Sequence, residues 1–186
     1  MQKDESFKRN SIYVRWARKV LESYLLNSFL IDPKNEFEIL LKEKAGCFVT
    51  LHKKDGELRG CIGTFLPTKK NIALEIRSNA ISAATNDPRF LPVTYEELKN
   101  LDISVDILSN PELIKDYNEE LNYDLLDPKE FGIIVEDVSK WRRGLLLPNL
   151  EGVDTVDYQI RIAMNKAGIF SGDKIRVYRF SSKRFF

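Results

Sequence analysis

One histidine, His52, is present in 186 residues, and only two cysteines, Cys47 and Cys61. The first scarcity excludes a metal centre built from several imidazoles and leaves a nucleophile–histidine pair only one base to use. The second excludes the disulfide framework of a small secreted fold and points to a reducing compartment. Neither sign of charge is in excess. With 29 Lys and Arg against 28 Asp and Glu, the net charge is +1, and the whole chain offers no electrostatic footprint for nucleic acid or an anionic membrane. No run approaches the roughly 18 apolar residues of a membrane span, and the mixed-charge start Met1-Gln2-Lys3-Asp4-Glu5 leads into no apolar signal segment. The expectation is a cytoplasmic protein without a membrane partner. Neither Gly-x-Gly-x-x-Gly nor Gly-x4-Gly-Lys-Ser/Thr occurs, which leaves Rossmann and P-loop readings without support.

What is present is an ordinary globular balance, 43% hydrophobic and 31% charged, at a length that suits one domain or two closely joined lobes. Residues 11–30 carry Ile12, Trp16, Ala17, Val20, Leu21, Tyr24, Leu25 and Phe29 at helical spacing behind a possible Ser11 cap, with Asp32-Pro33 as the stop. A second short helix is expected over 37–44. Residues 72–85 form a third, with a narrow face of small residues, and Thr94 with Glu97 matches the capping box of a short fourth. Asp154 or Thr155 would cap a last helix, stopped by Gly168. Strands are expected over 47–53, 58–64, 103–107, 131–135, 141–147 and 175–180, whereas 110–128 shows no pattern. Helices and hairpin-like strands mix without regular alternation, which predicts an α+β fold with mainly antiparallel pairing.

The hairpin around Asp55-Gly56 is the most informative segment. A two-residue loop would set Lys54 opposite Glu57, His52 opposite Arg59, Leu51 opposite Gly60 and Thr50 opposite Cys61. One face is then apolar, and the other presents Thr50, His52, Arg59 and Cys61. A cysteine beside a cation and an imidazole favours the thiolate, which makes Cys61 a candidate nucleophile or acceptor thiol, His52 its base and Arg59 an anion holder. A three-residue loop with a bulge at Gly56 would instead slip the register and carry Arg59 and Cys61 to the other face. Segregation of apolar from polar side chains favours the first arrangement. Against both stands the plainer reading, in which Cys61 is a small packed residue and His52 an exposed one.

Further candidates flank this motif. Gly60 and Gly63 would let another backbone or a ligand approach, and Thr68-Lys69-Lys70-Asn71 at a helix entrance could hold an anion through Lys69, Lys70 and free N–H groups. Asp87 and Arg89 could stand at the mouth of a site or merely tie down the chain. Of Arg142 and Arg143, adjacent on a strand, at most one can serve a given cleft. These cations also define the surface a nucleic acid would need, a reading the net charge disfavours.

Leu58-Arg59-Gly60-Cys61-Ile62-Gly63-Thr64 resembles the signature of the AMMECR family, named for the Alport syndrome, mental retardation, midface hypoplasia and elliptocytosis chromosomal region. Gly46-x-Phe48-Val49-Thr50-Leu51, Asp87-Pro88-Arg89-Phe90-x-Pro92-Val93, Gly144-Leu145-Leu146-Leu147-Pro148 and Lys166-Ala167-Gly168 follow the family's order. Cys47 departs from it, standing where an aliphatic residue is expected. The resemblance implies a single AMMECR-type domain over 1–186, of two lobes with the larger holding both chain ends. It places the signature at or near the cleft between them. Gly60, Gly63, Thr64, Lys69, Lys70, Asp87, Arg89 and Arg143 stand as the candidate binding residues. It also implies association with Memo-like proteins and radical S-adenosylmethionine enzymes in a shared modification pathway. No cofactor is specified, and the chain lacks the three-cysteine ligand set of the radical enzyme itself.

Overall fold

The computed structural model describes residues 11–186, which fall into two compact units, 11–108 with Lys183–Phe186, and Ser109–Ser182. In the first, helix α1 (Ile12–Asn27) starts where Ser11 Oγ accepts from Val14 N and ends at Ser28, which turns left-handed with φ 55°. The helix therefore stops before Asp32-Pro33, and Phe29, expected on its apolar face, lies outside it and exposed. A 3-10 segment, Asn35–Leu41, replaces the expected second helix and buries Phe37 and Leu40.

Strands β1 (Cys47–Lys53), β2 (Leu58–Thr64) and β3 (Leu101–Leu108) pair antiparallel with β1 in the centre and β2 outermost. Helix α2 (Ile72–Thr85), capped by Asn71, lays its small residues Ala73, Ala80 and Ala84 into the core beside Val49, Leu51 and Val105. Trp16 fills the space between α1 and α2, and its buried indole N–H donates to Ala73 O at 2.7 Å, satisfying the one polar group such a side chain brings inside. Thr94 caps the one-turn helix α3 (Tyr95–Leu98) as its spacing predicts.

The second unit holds β4 (Glu112–Lys115), β5 (Phe131–Asp137), β6 (Arg142–Leu146), α4 (Val156–Lys166) and β7 (Ile175–Phe185), the last running on into the first unit after Ser182. Its sheet order is β4-β7-β5-β6, antiparallel throughout. Thr155 rather than Asp154 caps α4, which covers a core of Ile133, Val135, Leu146, Val153 and Ile169 through Ala163. The α+β class and antiparallel pairing expected from the pattern are both found.

Candidate functional site

The hairpin reaches its register by two compensating slips. Gly56, at φ 89°, closes a three-residue loop in which Gly56 N donates to Lys53 O and Lys53 N to Glu57 O. That sets His52 opposite Leu58 rather than Arg59, but the irregularity at Leu51/His52 leaves Arg59 unpaired and restores Leu51 opposite Gly60 and Thr50 opposite Cys61. The expected His52–Arg59 pairing is thus wrong, because an extra residue sits in β2, while the Thr50–Cys61 pairing is right. Thr50 Oγ1 donates to Cys61 Sγ at 3.3 Å. His52 instead lines a groove of about 650 Å³ with Val14, Arg18, Asp102 and Phe186, and no hydrogen bond joins it to Cys61 among the described residues.

Arg59 is not an open cation. Its guanidinium forms a fork with Glu97 of α3 at 2.5 and 3.0 Å, leaving only 12% of the side chain exposed. Glu97, which the capping-box spacing assigned to its own helix start, reaches across to β2 instead. This pair clamps α3 to the bulged part of the strand.

Asp87 and Arg89 bracket Cys61 from outside. β2 is an edge strand, and the outward N–H and C=O of a residue on such an edge need partners other than a neighbouring strand. Asp87 Oδ2 accepts from Cys61 N at 2.9 Å, and Arg89 Nη2 donates to Cys61 O at 3.3 Å. Asp87 also accepts from Arg89 N, Nε and Nη2, and stands 4% exposed. The Arg89 guanidinium above all, with the Cys61 amide behind it, holds this carboxyl well below the usual carboxylate range against the opposing effect of burial. Arg89 keeps about half of its side chain in solvent, 52%. Fixed cation, hydroxyl and thiol therefore meet at Cys61.

The glycines of the motif serve the interior. A Cβ on Gly60 would overlap the carbonyl oxygen of Ala83 in α2, and one on Gly63 would overlap the Phe48 ring. The close approach they permit is by backbone and by an aromatic ring of this chain.

Glu75, a buried residue that helical spacing alone did not single out, organises the next segment. Its carboxylate accepts from Thr64 Oγ1, Thr68 Oγ1, Thr68 N and Lys69 N at 2.6–2.9 Å. The backbone donors read as an anion site at the helix entrance are thus already engaged by a carboxylate of the chain itself. Asn79 extends the network to Thr64 Oγ1, Cys47 O and Cys47 Sγ. Burial, assisted by the negative charges of Glu75, Asp106 and Glu43, pushes the Cys47 thiol up to about 12 despite that last bond. Cys47 is inert core. The signal available in the sequence was Thr64 and Thr68 placed just ahead of a helix with Glu75 in its first turn.

Arg143 lies in the second unit. It pairs with the buried Glu136, which also accepts from Tyr178 Oη at 3.0 Å. Neighbouring Arg142 points the other way, to Asp137, Asp173 and Gly168 O. Arg59, Arg89, Arg142 and Arg143 each have a carboxylate partner. Among the described residues no group of three His, Cys, Asp or Glu could hold a metal ion, and no helix is long and apolar enough to cross a membrane.

The AMMECR1 family model matches residues 14–185, nearly the whole of what has just been described. The chain belongs to the AMMECR1 family. A Thermotoga maritima member is 55% identical over 175 residues, covering 93% of this chain and 96% of that one. A Clostridium acetobutylicum protein is 45% identical over 174 residues that make up 92% of this chain but only 35% of its own length. An uncharacterised protein from Pyrococcus horikoshii, solved by crystallography, superposes with a TM-score of 0.79 at 33% identity, covering 96% of this chain and 90% of that one, and shows the same fold.

Proposed function

We propose that this AMMECR1 domain is one component of a modification pathway and acts through a protein partner, a Memo-like protein or a radical S-adenosylmethionine enzyme. Its Cys61–Arg89 corner engages that partner. The observation that carries the reading is the Clostridium relative, in which the same domain is about a third of a longer polypeptide and so is tethered to a further stretch of chain. A domain that works beside another protein gains effective concentration from such a tether. The corner suits the task. Arg89 is half-exposed and rigidly held by Asp87 on the edge of β2, and a fixed guanidinium loses little freedom on binding a carboxylate across an interface.

The test uses purified Memo-like and radical S-adenosylmethionine proteins from one host, titrated against this chain by calorimetry. Binding to at least one is expected, weakened about tenfold or more by Arg89→Ala, the size of effect a central charged contact gives. No binding at tens of micromolar, or binding indifferent to Arg89, would dismiss the reading. A second reading treats Cys61 as the nucleophile or acceptor thiol of a stand-alone enzyme. What favours it is the hydrogen bond its Sγ accepts from the Thr50 hydroxyl, with Arg89 Nη2 on the backbone carbonyl of the same residue, in place of the His52–Arg59 arrangement.

A further inference from the structure

The groove of about 650 Å³ that His52 lines lies within the first unit and shares no lining residue with the Cys61–Arg89 corner. Small-molecule sites usually enclose about 300–1,000 Å³, so there is room for a ligand of that class. Phe186, 47% exposed, forms the apolar wall together with the edges of Val14 and Ile103. Arg18, one helical turn after Val14 on α1, is the group here whose charge the fold leaves unbalanced. Its guanidinium donates to Leu101 O at 2.9 Å and to Leu98 O at 3.5 Å, and it has no carboxylate partner among the described residues. The other half-buried arginines, Arg59, Arg77, Arg142, Arg176 and Arg179, each have one. The ammonium groups at the groove are matched as well, Lys53 by Glu57 and Lys54 by Asp102. Carbonyls hold the Arg18 guanidinium in place without neutralising it, and a half-buried charge left in that state is unfavourable until an anion joins it.

We propose that this groove binds small organic carboxylates with an apolar body, the carboxylate on Arg18 and the body against Phe186. One unbalanced cation selects a single anionic group, and a guanidinium fork meets both oxygens of a carboxylate at once. The apolar wall contributes in proportion to the ligand surface it removes from water, so neither charge nor ring suffices alone. The inference is independent of what the Cys61–Arg89 corner does.

The lone histidine makes the site directly observable. His52 gives the only imidazole signals in the proton NMR spectrum, and its place on the groove makes them sensitive to an occupant. Phenylpropionate is titrated into the full chain at fixed pH and physiological ionic strength, with propionate, which lacks the ring, and phenylpropanol, which lacks the charge, as controls. Saturable movement of the His52 signals is expected with phenylpropionate, and binding about tenfold weaker with each control, the effect of one charge-assisted bond or one buried ring. Arg18→Gln should weaken phenylpropionate about tenfold and leave phenylpropanol unchanged, whereas Arg18→Lys, which keeps the charge, should retain most of the binding. If Arg18→Gln lowers the urea midpoint, the comparison of acid with alcohol on the native chain decides the matter by itself. Equal affinity for acid and alcohol, equal affinity with and without the ring, or no saturable movement up to about 10 mM would each overturn the proposal. So would an Arg18→Gln protein that stays folded and binds as the native one does. An acetylated peptide with a carboxy-terminal phenylalanine, binding more than about tenfold tighter than phenylpropionate, would overturn the small-molecule assignment in favour of a chain terminus.

Discussion

Asp87 stays ionised although almost fully enclosed, because four N–H donors, three of them from Arg89, converge on its two oxygens. Its folded pKa lies below the unfolded value near 3.9, so its contribution to stability is complete above that value and disappears as pH falls through the folded one. Asp87→Asn keeps the shape and loses the charge. It is expected to cost about 2 kcal/mol at neutral pH, the difference expected when charge-assisted bonds become neutral ones. Urea midpoints of the two proteins should converge as pH drops from about 5 toward 2, and a gap that stays constant over that range would show that Asp87 acts by shape alone.

Two strand glycines let helices rest directly on their sheets, Gly60 beneath Ala83 of α2 and Gly144 beneath Ala163 of α4. In both places the obstacle to a Cβ is a backbone carbonyl, which cannot swing aside as a side-chain end can. Gly60→Ala and Gly144→Ala are each expected to lose about 3 kcal/mol in urea unfolding. Gly152→Ala, where space is open but φ is +76°, should lose only about 1 kcal/mol. Equal losses at all three positions would mean that backbone conformation, not helix seating, is what these glycines provide. The same elements show what patterning reveals. Alternation places Val49, Leu51 and Ile62 correctly, and with them the Thr50–Cys61 pair, since a sheet face must be apolar wherever a helix covers it. It does not reveal the extra residue at Arg59, because a bulge leaves composition untouched. Nor does it resolve β4, a four-residue strand with an irregularity between Leu113 and Lys115 and too short to show a period. Glu75 and Glu97 mislead in a related way. At helical spacing a glutamate reads as solvent-facing or as a cap, and only the tertiary arrangement shows one buried under Thr64 and the other bound to Arg59.

The first unit is discontinuous, with Ser109–Ser182 interposed between Leu108 and Lys183. The returning residues are well anchored there. Phe185 packs on Tyr13 with ring centroids 4.7 Å apart, Arg184 pairs with the buried Asp106, and Phe186 O accepts from Ser11 N. Deleting Lys183–Phe186 should therefore lower hydrogen-exchange protection in α1 and β3 while leaving α4 and β5 unchanged, despite the shorter sequence distance to the latter. Uniform loss of protection would contradict this division. The interruption also orders events during synthesis. A ribosome delivers the whole of Ser109–Ser182 before it makes the four residues that the earlier-born unit still awaits. The part that comes second in sequence is thus the first to have all its pieces, and the half-closed first unit must stay soluble on the nascent chain until translation reaches Phe186.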